Sequence, residues 1–142
     1  MNGHIEDIKV GHVIWAIPNE NVSTNQLLIK CDVVKKTVVE AIDPYCTDAV
    51  QQTIKLGCTF EDRFTNKTRN ITFTISDEEF RHHCDEYHAS TDNGMIFTDV
   101  TIAKNDARKF AHELAQEWQK QMEALKEKMI YLQHAGQIID EL

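Results

Sequence analysis

A chain of 142 residues with 42% hydrophobic content has room for one folded domain and is too apolar to stay disordered. Its net charge of −8 excludes a general nucleic-acid binder, because neutralising phosphates takes clustered Lys and Arg. The same charge suits solubility, or an acidic surface that imitates nucleic acid or docks on a basic partner. Residues 1–12 show no leader-like apolar run, and no stretch approaches the length of a membrane span, so a cytoplasmic protein is expected. Cys31, Cys46, Cys58 and Cys84 are widely spaced and read as free, mostly buried thiols of a reducing compartment.

In chain order, the first hundred residues carry short β-type runs separated by polar turns. Lys9 to Ile17 is the first, ended by a turn at Pro18-Asn19-Glu20-Asn21. Gln26 to Val34 alternates apolar and polar residues, Lys35-Lys36 marks a hairpin tip, and Thr37 to Ile42 returns as a third strand. Cys46 to Gln52 reads as either loop or strand, and Thr53 to Phe60 as the fourth strand. In Arg69 to Ser76, Ile71, Phe73 and Ile75 fall on one face, as in a half-buried strand whose successive side chains point to opposite sides. Ser76-Asp-Glu-Glu79 is a capping box that opens a short helix to about Tyr87. Thr91-Asp-Asn-Gly94 is a turn, Met95 to Ile102 the last strand, and Ala103-Lys-Asn-Asp106 the start of a long helix.

That helix carries a sustained apolar stripe. Ala111, Leu114, Trp118, Met122, Leu125, Met129 and Leu132 follow at steps of 3, 4, 4, 3, 4 and 3, close to a coiled-coil seam with one stutter at Trp118 to Met122. A helix of about 30 residues is roughly 45 Å long at ~1.5 Å per residue, longer than a core of this size is wide. Part of the stripe is therefore expected to meet another chain, with Leu114, Trp118, Met122, Leu125, Met129 and Leu132 as the oligomer interface. Gly136 is the expected stop. The fold class is α+β: a small curved antiparallel sheet or open β-barrel with one short helix and one long C-terminal helix. The expected organisation is a β-rich domain over 1–102 with the short helix near 77–87, the long helix over 103–135 and a tail over 136–142.

Chemistry is sparse. Arg81-His82-His83-Cys84, with Asp85 and His88, is the densest set of ligand-type side chains, and Cys84 and His88 share a helix face. A structural zinc needs a second pair at matching spacing, and none is evident, so no metal is expected. The carboxylates of Asp77, Glu78, Glu79, Asp85 and Glu86 stand in a run, the pattern of a solvated face. There is no nucleophile elbow, P-loop or dinucleotide fingerprint, so no catalytic residue and no cofactor are expected. Trp15, Phe80 and Phe97 read either as core or as stacking platforms for a base. Arg108 and His112, four apart and in line with Lys104, read either as a solvated stripe or as a clamp for phosphates.

The segment Thr101-Ile-Ala-Lys-Asn-Asp-Ala-Arg-Lys-Phe110 is similar to the strand-to-helix junction of small bacteriophage proteins that pair a compact β-barrel with one C-terminal helix. Ile8-Lys-Val-Gly-His-Val-Ile-Trp15 resembles their first strand. Ala103 stands where such proteins carry a Ser or Thr cap, and Asn105 replaces an acid. The layout resembles the phage Thoeris anti-defence proteins, sponges that sequester cyclic ADP-ribose-type immune signals without cleaving them. That resemblance implies a homo-oligomer in the host cytoplasm, with Trp15 as an early aromatic and Arg108 as the first of two helix arginines. His112 stands in the second place, which makes its charge pH-dependent. Phe80, Asn93 and Phe97 would supply further contacts. The expected function is non-enzymatic capture of a cyclic nucleotide. The alternative is an acidic interaction module, or nucleic-acid mimic, that inhibits a host protein. Neither membrane nor nucleic acid is an expected partner.

Overall fold

The computed structural model describes residues 5–42, 50–76 and 87–142. A 3₁₀ turn (Ile5–Asp7) precedes β1 (Val13–Pro18), β2 (Ile29–Ile42), β3 (Val50–Asp62), β4 (Lys67–Ile75), β5 (His88–Thr91) and β6 (Gly94–Phe97), and the chain ends in helix α1 (Val100–Asp140). The strands form one six-stranded sheet in the order β4-β3-β2-β1-β6-β5, with every paired neighbour antiparallel. This is the expected α+β class, a curved half-barrel with a long C-terminal helix. The expected short helix near 77–87 falls largely outside the described residues, as do Cys46 and Cys84.

The alternation of side chains builds the core. Ile14 and Ala16 of β1, Ile29, Cys31 and Val33 of β2, Leu56, Cys58 and Phe60 of β3, Ile71, Phe73 and Ile75 of β4, Ala89 of β5 and Ile96 of β6 form one buried cluster. Ile5 and Ile8 complete it from the N-terminal turn. Burial pushes the Cys58 thiol up to about 12, with the Asp32 carboxylate adding to the effect. Cys31 is raised too, first by burial and then by Cys58 and Asp32. Both are free, neutral thiols that act as small core residues, not as nucleophiles.

Two sequence expectations are corrected here. Lys35-Lys36 is no hairpin tip, because β2 runs unbroken from Ile29 to Ile42 along β3. The pairing slips between Val33 and Lys35, so Val34 is an extra, exposed residue. A bulge of this kind breaks the period-two pattern and mimics a turn in the sequence. The last strand is also shorter than expected: β6 ends at Phe97, and α1 starts at Val100, not Ala103. The cap is Asp99, whose Oδ1 accepts the N–H of Thr101 (2.8 Å) and of Ile102 (3.2 Å). Strand β5, a stretch assigned to no element in the sequence expectations, pairs with β6 as a hairpin through the expected turn at Thr91–Gly94. Gly94 has a φ of 127°, and a Cβ there would lie 2.9 Å from Pro18 Cα and closer still to Ile17 O, so β1 excludes any side chain.

The sheet curls until its edges meet. Thr74 N–H of β4 donates to Asp92 Oδ1 (2.8 Å), and Asn93 Nδ2 donates to Thr72 O (2.6 Å). The side chains of Asn19 and Asn21 both donate to Asp92 O, at 3.0 and 2.8 Å. The β5–β6 turn is thereby tied to the opposite edge strand and to the loop after β1.

At the β3–β4 hairpin, Asp62 Oδ1 accepts Phe64 N–H (2.9 Å), and its Oδ2 meets Arg69 Nη1 at 3.2 Å. Asn66 turns the chain with a φ of 54°. The Phe64 N–H, assisted by Arg69, holds the Asp62 carboxyl below its usual value of 3.8. A lowered folded value means stability that is present above the ordinary carboxylate range and lost as pH falls through the folded value. Asp62→Asn should therefore lower stability at neutral pH and flatten the acid limb of a stability-against-pH curve below about pH 4. Urea midpoints measured from pH 2 to 7 on both proteins check this, and parallel curves would refute it.

Candidate ligand-binding face

The outer surface of the half-barrel carries one cross-strand row. Register sets Lys30 of β2 opposite Trp15 of β1, Trp15 opposite Phe97 of β6, and Phe97 opposite His88 of β5. Residues directly opposite on one face of a sheet are in contact range. The Lys30 amine lies 5.9 Å from the Trp15 ring centre, at cation–π distance. The His88 and Phe97 rings stack with centroids 6.0 Å apart.

The row is not uniform in access. Trp15 is partly exposed and Lys30 exposed, whereas Phe97 is 0% exposed. Of the two readings for Phe97, core or stacking platform, its burial matches the first. It lies on the face opposite the inner core, since Ile96 beside it faces inward, and it is nonetheless fully buried between Trp15 and His88. Within this β-rich unit, which extends to Ala107, the buried positions of the first helical turns are Ala103 and Ala107, one turn apart on one side of α1.

Asn93 is likewise committed. Its amide donates to Thr72 O and its backbone O accepts from Asn19 N–H (3.2 Å), so its place is in the closure of the sheet. Asn93→Ala should cost about 0.5–1.5 kcal/mol of stability, the net worth of an ordinary solvent-exposed hydrogen bond to the Thr72 carbonyl, and should leave any ligand affinity unchanged in the folded protein. Thermal melts paired with ligand titration separate the two roles. Phe80 lies outside the described residues.

Arg108 and His112 belong to the second compact unit, Arg108–Leu142, and both are exposed on α1. His112 Nε2 lies 3.2 Å from Gln116 Nε2, a contact within one turn of the helix. Among the described residues no group of His, Cys, Asp or Glu is placed to hold a metal ion. No helix among them is long and apolar enough to cross a membrane.

Along the same unit, the apolar stripe is open: Trp118 is 58% and Leu132 66% exposed, and Met122, Leu125 and Met129 resemble them. Ile138 and Ile139, beyond the expected end of the helix, are exposed as well. No protein-family model, curated protein or solved structure matches this chain.

Proposed function

We propose that this protein is a non-enzymatic binding protein that works as an oligomer, with copies held together through α1 and ligands taken by the outer face of the half-barrel. The observation that carries the reading is the exposed stripe from Trp118 to Ile139. Large apolar side chains contribute about 1.5–3 kcal/mol each when fully buried, and a helix that keeps a row of them in water favours pairing. The ligand class we propose is a nucleotide-type signal, of the cyclic ADP-ribose kind bound by the sponge proteins that the layout resembles. What supports it is Trp15, partly exposed beside the Lys30 amine: an aromatic ring to stack on a base and a cation to meet a phosphate.

Native mass spectrometry tests both halves. The protein alone should appear as an oligomer. Mixed with a panel of cyclic and linear ADP-ribose compounds, it should carry one of them at unchanged mass, and Trp15→Ala should lose it. A monomer refutes the assembly half. An oligomer that ignores the panel refutes the ligand half and favours the second reading, a docking module for a basic partner, which the net charge of −8 supports. That module would lose affinity as salt screens the attraction.

A further inference from the structure

Helix α1 does not stop at Gly136. It continues to Asp140, so Gly136 stands inside the helix, where glycine is the most costly residue short of proline. Among the described residues nothing accounts for it: its φ is not in the left-handed region, and a Cβ built there would meet no atom within 4 Å. A space left open on an exposed helix face has a reason if a second chain fills it.

The seam supplies the reason. Counted from the C-terminal end, Ile139, Gly136, Leu132, Met129, Leu125, Met122, Trp118 and Ala115 continue one heptad seam without the stutter, Ala115 taking the place of Leu114. We propose that two copies of α1 pair antiparallel about a two-fold axis near Glu127, with Trp118 of each copy filling the space over the partner's Gly136. This rests on the assembly half of the proposed function and gives it an orientation and a register. About that centre Ala115 falls opposite the partner's Ile139, Trp118 opposite the partner's Gly136, Met122 opposite the partner's Leu132, and Leu125 opposite the partner's Met129. The largest side chain meets the smallest, and the middle layers join residues of nearly equal size. Packed interiors fill space evenly, and this register does so in every layer.

A parallel pair in register fails the same criterion. It would set Trp118 on Trp118, Gly136 on Gly136 and Ala115 on Ala115, one overfilled layer and two underfilled ones. The antiparallel pair brings Lys126 near the partner's Lys126 and Lys128 near the partner's Lys128, but these are surface contacts that salt screens, with Glu123 one turn before Lys126 on the same helix.

Gly136→Leu tests the proposal, because the two orientations predict opposite signs. In the antiparallel pair the new side chain occupies the volume that Trp118 needs, and the dissociation constant should rise at least tenfold. In a parallel pair it fills an empty layer and association should tighten. The substitution improves helix propensity, so failure to fold is not the expected confounder, and the thermal melt of the half-barrel serves as the control. Trp118→Ala combined with Gly136→Leu should recover much of the loss by exchanging large for small.

Cross-linking gives a second, independent readout in full-length protein with Cys46 and Cys84 replaced by Ser. Co-expressed Trp118→Cys and Gly136→Cys chains should form a disulfide with each other, and neither variant should do so alone. Self-linked Trp118→Cys or Gly136→Cys dimers would overturn the antiparallel register and leave the assembly reading standing. A protein that is monomeric by native mass spectrometry would instead overturn the assembly reading itself.

Discussion

Leu125→Asp combined with Met129→Asp should convert the protein to a monomer while leaving the half-barrel intact. Both side chains sit mid-stripe, exposed in the single chain and spaced to meet a partner. A charge placed in an apolar seam must be desolvated without a counter-charge. Two such charges per helix, hence four per pair, should weaken association by well over 100-fold, or more than about 2.8 kcal/mol. Light scattering across a concentration series reads the mass directly. The far-ultraviolet spectrum should lose helix signal in the same variant, because a lone helix draws most of its stability from packing, not from propensity. The melting temperature of the β-rich unit should hold. An unchanged mass would show that the stripe is not the assembly surface.

The other large effect is expected in the core. Phe73 of β4 is fully buried among the inner-face residues, and it is one of the largest side chains with no exposed surface. Phe73→Ala removes a ring from close-packed surroundings, at a cost of about 3–5 kcal/mol. A domain of this size is held by about 5–15 kcal/mol in all, so the variant should be marginal at 37 °C. Each kcal/mol moves the midpoint by roughly 4–8 °C in a domain of 60–100 residues, so a fall of about 12 °C or more is expected. Thr72→Ala, next in the strand but facing outward, keeps the carbonyl that Asn93 uses and should stay within about 0.5 kcal/mol of the parent. A comparable loss at both positions would mean that the inner and outer faces of β4 have been assigned wrongly.

These expectations differ in how much of their basis was legible in the chain alone. The alternation of Ile71, Phe73 and Ile75 identifies a strand and its buried face without any neighbour, because the period of a strand is a local property. The turn at Thr91–Gly94 is legible for the same reason. So is the long helix, whose stripe survives whatever the rest of the chain does. The start of that helix was misplaced by three residues because its cap, Asp99, follows so closely on β6 that the apolar run reads through it. Of the candidate ligand residues, Trp15 keeps a partly exposed ring. The Lys30 amine beside it was not singled out, since it stands fifteen residues away in sequence and comes opposite only through the β1–β2 register.

Secondary structure type, the identity of the inner face and the presence of an unpartnered helical stripe follow from the order of residues, because each depends on spacing within a few positions. Which outward residues are available to a ligand depends on what lies across from them. Phe97 is buried where β1 and β5 flank it with Trp15 and His88, and Asn93 is bound because the sheet curls until β4 reaches it. Lys35-Lys36 continues a strand because β3 pairs past it, from Asp32 to Ile42 of β2. Gly136 looks like a helix terminator in the sequence and is an open position within a helix in the fold. Contacts between residues distant along the chain carry no local period, so they become visible only when the strands and the helix are in place.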